Sequence, residues 1–575
     1  LRRDASCGSI SGIIKLNFIK YAPAMGETVK LCYTCLFQSD AVKFVERGLH
    51  SMKVLNKGII PAVCAVALVA LISVWQAPKA YSSSAIAEAI RANDVVQSRE
   101  LIEAGTDVNF AEADGTTPLL WAVYKSSMET VQLLLDAGAD PNISNSLDIT
   151  PLMQASRYGN ADMISALLAS GASLDFAEQG LESTLMAAAR SGSVDALKVL
   201  LGAGVDPNKT EPIDKQTAIM WATVEGHLDV VRVLLDAGAN PNMQARVSEL
   251  TKRKNADFPS GGFAPLHWAA RNGDEAMIRL LLDNGADINV KNGDTSTPMM
   301  LAIVNDRFDI AALLLGLGAD ADDGSLYYIT EMRDATTDWR AKDGTVFRAD
   351  HPNELSALDL TKLLLEAGAD PDKPFIGQMH NTSMCCDIKS IESPFYRAAK
   401  AADVAGLKMM LEHDADPNWK PATETRYVGI DEDEEIVSRT ALMVAITGGK
   451  GVGVSGGPND LRYGPPPFRE EGLRDPKEAV KLLLEAGADV NVPGPDSLTA
   501  LHIAADAGEL DIVYALVAEG ASLDAKNKDD KTPFELVENE PPKTGTPGFF
   551  FQEPQAQPIE IAAVLKQLAE EGGVQ

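Results

Sequence analysis

The sequence predicts an all-α fold, a solenoid of about twelve stacked helix-turn-helix units, and three observations carry that reading. One phrase, Gly-Ala-Asp-x-Asn or a close variant, returns along the chain. A second, Thr-Pro-Leu or a variant, opens the units. Between the two, apolar residues recur at the spacing of one helix face.

The first phrase begins at Gly105, Gly138, Gly171, Gly204, Gly238, Gly285, Gly318, Gly368, Asp414, Gly487 and Gly520. Five of the ten spacings are 33 residues and one is 34, while the others, 47, 50, 46 and 73, carry insertions. By length, 575 residues suggest about four domains. A fixed short period overrides that count, because it means one stacked array rather than separate cores.

Each element of a unit has a local cause. The opening phrase stands at Thr117-Pro118-Leu119, Thr150-Pro151-Leu152, Ala264-Pro265-Leu266-His267, Thr297-Pro298-Met299, Ser393-Pro394-Phe395 and Thr499-Ala500-Leu501-His502. Thr at the N-cap accepts a bond from an orphan N–H, and Pro at the first helical position has no N–H to lose. A short first helix follows. The second helix places apolar residues at i, i+3 and i+4, as in Val231, Leu234 and Leu235 or Val480, Leu483 and Leu484. Gly then ends it in the left-handed conformation, which Asp414 tolerates better than most residues would. No unit can bury its stripe alone, so stacking makes the core.

The ends depart from the pattern as caps should. Residues 85 to 105 lack the opening phrase, and Thr532-Pro533-Phe534 is followed by a closing helix expected near Ile559 to Leu568. The solenoid is accordingly assigned to residues 84 to 570. Ahead of it, Met52, Lys53 and Lys57 precede an apolar run from Ile59 to Val74 and the small residues around Ala80 to Ala85. That order reads residues 52 to 80 as a secretory signal peptide, or alternatively an uncleaved anchor in an inner membrane. Residues 1 to 51 read as an over-extended start without structure. Cys32-Tyr33-Thr34-Cys35 has redox spacing but no strand and helix pattern around it.

Composition excludes several classes. With 45% hydrophobic and 23% charged residues the chain is globular in type. Its net charge of -31 repels a phosphate backbone, so no nucleic-acid partner is expected. Six cysteines are too few for a disulfide scaffold. No nucleophile, base and orienter set stands out, and no catalytic residue is assigned.

Ala264-Pro265-Leu266-His267 followed by Ala269-Ala270, Gly226-His227, and the recurring Gly-Ala-Asp-x-Asn together resemble the ankyrin-repeat family. The resemblance covers about residues 84 to 570. It implies hairpin fingers between units, first helices lining a concave groove, and a protein that binds another protein. The leader and insertions resemble those of exported ankyrin-repeat proteins of Gram-negative bacteria, which places the chain in the periplasm or outside the cell. The partner is then expected to be a protein of the bacterial envelope, with membrane contact only through an N-terminal anchor.

On that frame the fingers around 243 to 262, 373 to 391 and 419 to 438 are lengthened, each by a similar amount. Additions near 449 to 474 and 540 to 557 fall elsewhere in their units, and one within 324 to 357 has no clear opening phrase to place it. Long excursions from a rigid scaffold commonly carry function. The first finger is basic, with Arg246, Lys252, Arg253 and Lys254; the third is acidic, from Asp431 to Glu435.

The family pattern exposes the two residues after Ala-Ala in each first helix. Here those places hold Tyr124 and Lys125, Arg157 and Tyr158, Arg190 and Ser191, and Arg271 and Asn272. A cationic and aromatic stripe in an acidic protein, made of residue types that dominate interface energetics, is the candidate partner-binding surface. Arg246 and Arg253 of the first long finger complete the set.

Other signals fall short. His227, His267 and His502 sit at repeat positions and read as structural hydrogen-bonders. His380, Cys385 and Cys386 share the second long finger, too few ligands to assign a metal. Gly451-Val452-Gly453-Val454-Ser455-Gly456 matches a dinucleotide fingerprint but follows no strand and leads into Gly457-Pro458. Phe549 to Phe551 read as packing on the terminal unit. No metal and no cofactor is expected. The expected function is a non-catalytic interaction scaffold, the alternatives being an accessory or protective subunit of an envelope enzyme, or a secreted effector or metal-binding protein.

Overall fold

In a computed structural model, the described residues are 85–174, 182–248, 260–333, 353–375, 392–421, 439–447, 475–538 and 557–572. All lie in one compact unit, Ser83–Gln575. They form twelve consecutive helix pairs. The first seven are α1 (Ala85–Arg91) with α2 (Val95–Glu103), α3 (Pro118–Tyr124) with α4 (Met128–Asp136), α5 (Pro151–Arg157) with α6 (Ala161–Ala169), α7 (Thr184–Ser191) with α8 (Val194–Gly202), α9 (Ala218–Val224) with α10 (Leu228–Asp236), α11 (Pro265–Asn272) with α12 (Glu275–Asp283), and α13 (Pro298–Val304) with α14 (Phe308–Gly316). The last five are α15 (Ser325–Arg333) with α16 (Ala357–Glu366), α17 (Pro394–Ala401) with α18 (Val404–Glu412), α19 (Ala441–Thr447) with α20 (Pro476–Glu485), α21 (Ala500–Ala507) with α22 (Leu510–Ala518), and α23 (Pro533–Val537) with α24 (Pro558–Gly572).

First helices pack against first helices and second against second, so one apolar core runs from Ile86 to Leu565. The start signals behave as the sequence predicts. The hydroxyls of Thr117, Thr150, Thr297 and Ser393 accept from the amides of Leu120, Met153, Met300 and Tyr396. All eleven residues that begin the recurring phrase have positive φ, Asp414 at +64° among the ten glycines.

The Asn of that phrase stitches neighbouring units. Asn109 donates through Nδ2 to the Gly138 carbonyl at 3.2 Å and accepts at Oδ1 from the Asp140 amide at 2.8 Å. Asn142, Asn208, Asn242, Asn418 and Asn491 repeat both bonds one unit further along. The ladder continues across the insertions, so these leave the stack in register.

The lengthened finger before α11 begins as a hairpin. Strand β1 (Val247–Ser248) pairs antiparallel with β2 (Ser260–Gly261), in the register Val247 with Gly261 and Ser248 with Ser260. Fingers also bond to one another through the backbone: Ser146 donates to Asp114, Arg246 to Asp214, Gly293 to Gly261 and Lys528 to Asp496.

The eighth unit differs from the sequence reading. Helix α15 takes the place of its first helix, three residues after Asp322, where an ordinary unit leaves about eight for a finger. Its insertion therefore lies between α15 and α16, at 334–352, as those at 448–474 and 539–556 lie between the helices of the tenth and twelfth units. With no finger of its own there, Phe375 reaches in and stacks on Tyr327, ring centres 5.0 Å apart, with Tyr328 edge-on at 5.1 Å. A shallow notch of about 310 Å³ remains, bordered by Thr295, Asp322, Tyr327 and Lys373.

Candidate functional site

Where the opening phrase is present it sets the register of the first helix, and the fifth residue of the phrase is where the candidate surface begins. Thr117, Thr217 and Ala264 put Trp121, Trp221 and Trp268 at that position, each partly exposed. A guanidinium covers each ring: Arg91 lies 5.3 Å from the Trp121 centroid, Arg190 5.4 Å from Trp221, and Arg271 5.4 Å from Trp268. Cation–π contact of this kind, at half-exposed sites, is worth about 0.5–1 kcal/mol.

Carboxylates at the base of the fingers fix the first two of these cations. Glu112 accepts from the Trp121 indole N–H at 2.9 Å and pairs with Arg91 at 3.3 Å. Glu182, with only 8% of its side chain exposed, accepts from Arg157 at 3.0 Å and pairs with Arg190 at 3.3 Å. The two arginines therefore share one carboxylate and retain a net positive charge between them. Tyr124, which lies 5.8 Å from Trp121, has its hydroxyl pKa raised chiefly by burial, against the opposing field of Arg157.

Each sequence-predicted residue has a definite place. Tyr124 and Arg157 end their helices half-buried, while Lys125 and Tyr158 are the exposed C-caps that follow. Arg190 is exposed within α7. Arg271 and Asn272 close α11, and Asn272 donates to the Val224 carbonyl at 3.0 Å, tying two units. Arg246 leans on the preceding finger, donating to the Ile213 carbonyl at 3.3 Å. Arg253 lies outside the described residues, as do Lys252, Lys254, the acidic run 431–435, His380, Cys385, Cys386, the glycine-rich stretch 451–456 and Phe549 to Phe551. Beside Arg246, the exposed side chains of Ile213 and Val247 extend the surface onto the fingers.

Sequence reasoning missed Glu182, because nothing in its spacing marks a carboxylate shared between two units. It also passed over the three tryptophans, although their common offset from the opening phrase was there to find.

The three histidines hold units together. His267 accepts from the Ala264 amide at Nδ1 and donates from Nε2 to the Ser296 carbonyl, at 3.0 and 3.1 Å. His502 does the same with Thr499 and Lys531, and His227 bonds the Arg190 carbonyl. Burial pushes the His267 pKa down to about 4. Among the described residues, no group of three His, Cys, Asp or Glu side chains is placed to hold a metal, and no helix is long and apolar enough to cross a membrane.

Comparison with known proteins decides the family. The family model for ankyrin repeats (3 copies) matches residues 66–145, 85–177, 128–211, 152–245, 245–324 and 473–536, together more than half of the chain. The chain belongs to the ankyrin-repeat family. Among curated ankyrin-matching relatives, Protein fem-1 homolog A of Danio rerio is 48% identical over 66 residues, 11% of each chain. Alpha-latroinsectotoxin-Lt1a of Latrodectus tredecimguttatus is 32% identical over 110 residues, 18% of this chain and 8% of the toxin. Protein phosphatase 1 regulatory subunit 27 of Mus musculus is 41% identical over 61 residues, 11% of this chain and 40% of that one. The chain thus spans less than half the length of these relatives.

Of solved structures, the human ASB11 ankyrin repeat domain aligns at 25% identity and TM-score 0.36, covering 41% of this chain and 99% of that one. The Bcl-3 ankyrin repeat domain aligns at 24% and 0.33, covering 40% and 98%. The all-α ankyrin assignment rests on the family model and the twelve helix pairs. An ankyrin solenoid is a scaffold for contact with another protein, and that coarse function follows from the family.

Proposed function

We propose that this ankyrin solenoid is a non-catalytic scaffold of the bacterial envelope, binding one protein partner across its first helices and adjoining fingers. The supporting observation is the row of Trp121, Trp221 and Trp268, each under an arginine, in one repeat register. Aromatic and Arg side chains make the energetic centres of interfaces, and here Glu112 and Glu182 hold Arg91 and Arg190 in place before binding. The exposed Lys125, Arg190 and Arg271, with Tyr158 beside them, give this face a cationic character in a chain of net charge -31, which favours a partner patch carrying carboxylates. Export rests on the basic start at Lys53 and Lys57 and the apolar run from Ile59 to Val74.

Photo-crosslinking from single positions in the full chain tests the surface. A crosslinking residue at Tyr158 or Lys125 is expected to capture one and the same envelope protein, and one at Arg232, on the exposed side of α10, is expected to capture none. Equal capture from Arg232 overturns the assignment of the face. Cell fractionation checks the compartment, and recovery of the chain in the cytosol alone would overturn export.

A further inference from the structure

Among the described residues the Asn ladder contains two rungs of a different kind. In the six rungs that show both bonds, an Asn amide uses both ends: Oδ1 accepts an N–H of the next unit and Nδ2 donates to the carbonyl of the residue that opens the next phrase. Four phrases carry Asp in the Asn place, at Asp175, Asp322, Asp372 and Asp524. Asp175 lies outside the described residues and no further phrase follows Asp524, which leaves Asp322 after the seventh unit and Asp372 after the eighth. A carboxylate can perform the accepting half only.

The two are treated differently. Asp322 accepts from the Asp370 amide at 3.2 Å, and a cation makes up for its missing donor: Lys373 Nζ bonds its Oδ2 at 2.6 Å and its carbonyl at 2.8 Å. Asp372 accepts from the Asp416 amide through Oδ2 at 2.7 Å. Its other oxygen, Oδ1, is buried and has no hydrogen-bond partner. By the repeat geometry that oxygen stands where an Asn Nδ2 would donate to the carbonyl of Asp414, which opens the next phrase.

We propose that Asp372 is a protonation-controlled joint between the eighth unit and the ninth. Neutral, its carboxyl donates to the Asp414 carbonyl and completes the rung; ionised, it sets an unpaired oxygen against that carbonyl and weakens the coupling of the units beyond.

The charged surroundings favour the neutral form. On its own turn stand Asp370 and Lys373, the latter engaged by Asp322. The next turn brings His413, Asp414 and Asp416, and the preceding one Asp320 and Asp322. Burial pushes the Asp372 pKa up to about 6; the bond from the Asp416 amide opposes the rise, and the charges of Asp370 and Asp416 add to it. The sign follows. A carboxyl with a folded pKa above its unfolded one favours folding least when ionised, so the joint is tight below about pH 4 and loosens as pH rises through about 6. This joint would stiffen on acidification.

Hydrogen–deuterium exchange of the full chain, read by mass spectrometry on peptides covering 414–421 and corrected for the intrinsic rate, tests this. Protection there is expected to fall about tenfold between pH 5 and pH 7.5, the equivalent of one pKa unit. Asp372→Asn, which restores the common rung, should hold protection high at both pH values. Asp322→Asn, whose rung has its own cation, should behave as the parent chain does. A flat profile in the parent, the same fall in Asp372→Asn, or its loss in Asp322→Asn each overturns the proposal.

Discussion

Between Ala85 and Gly316 neighbouring units meet through small apolar side chains and amide rungs, with ion pairs only at partly exposed edges, whereas between Ser325 and Glu485 a buried charge pair joins the apolar contacts. In the first region Ala122, Ala155, Ala188, Ala222 and Ala269 are fully buried along the row of first helices. In the second, Arg333 clamps Asp403 with two bonds of 2.8 and 2.9 Å, their side chains 3% and 5% exposed. Arg397 pairs with Glu331 of the preceding unit, and within its own unit Lys400 pairs with Glu392 at 2.6 Å. The same region has a unit without a finger and receives the two described Asp rungs, from Asp322 and Asp372. A repeat fold therefore tolerates a change of bonding chemistry in mid-array while keeping its register, because each interface is a separate nearest-neighbour term.

Breaking the charged region should have the largest effect. Asp403→Asn keeps the N-cap bond to Gly406 but leaves the Arg333 guanidinium buried without its counter-charge. A loss of about 3–5 kcal/mol is expected at that interface. Adding Arg333→Met should recover most of it, since removing both charges is often near neutral. Urea unfolding followed by exchange protection across 394–412 measures the pair. Equal loss in the single and double variants would show that the clamp is not the joint's main feature.

The pH response should separate the regions by sign. His267, in the first region, has a folded pKa of about 4 against an unfolded value near 6.5. Its contribution is full above about pH 6.5 and is lost as pH falls toward 4, by up to about 3 kcal/mol at 1.4 kcal/mol per unit. Asp372 acts the other way, weakening its joint as pH rises. Replacing His267 with Gln should flatten the acid loss near 264–304 and leave the Asp372 window unchanged. If acid loosens both regions in parallel, the opposition of the two groups is wrong.

How much of this was legible follows from which features are local. The period, the hydroxyl caps and the left-handed turns are written residue by residue, so Thr117, Thr150 and even Asp414 could be read directly. The eighth unit was not, because Ser325 opens its helix without Pro and without a finger, and its partners lie across an insertion: Arg333 and Asp403 are 70 residues apart. On the candidate surface, the cationic and aromatic positions came from the repeat register. Their carboxylate anchors did not, since Glu182 meets both Arg157 and Arg190 only after two units have stacked. Asp372 was visible as a letter, but its meaning needs the ladder.

Converting a regular rung into the deviant type sharpens the comparison at smaller scale. Asn208→Asp removes the donor to the Gly238 carbonyl at 2.9 Å and puts an oxygen in its place. A loss of about 1 kcal/mol at pH 7 is expected, shrinking on acidification as the new carboxyl takes up a proton. A pH-independent loss, measured by urea midpoints at pH 7 and pH 4.5, would mean that shape rather than charge sets the rung.

The smallest effect belongs to the candidate surface, and its form matters more than its size. Arg157 and Arg190 are about a third exposed and share Glu182, so either alone suffices to balance the buried carboxylate. Arg157→Gln and Arg190→Gln should each cost less than about 1 kcal/mol, as solvent-screened pairs do. Together they leave Glu182 buried without a cation, and the double variant should lose more than the sum of the two. A double-mutant cycle in urea reads that coupling directly. Additive losses would mean that solvent, rather than the two arginines, neutralises Glu182, and the row would then be less fixed in place before a partner arrives than its geometry implies.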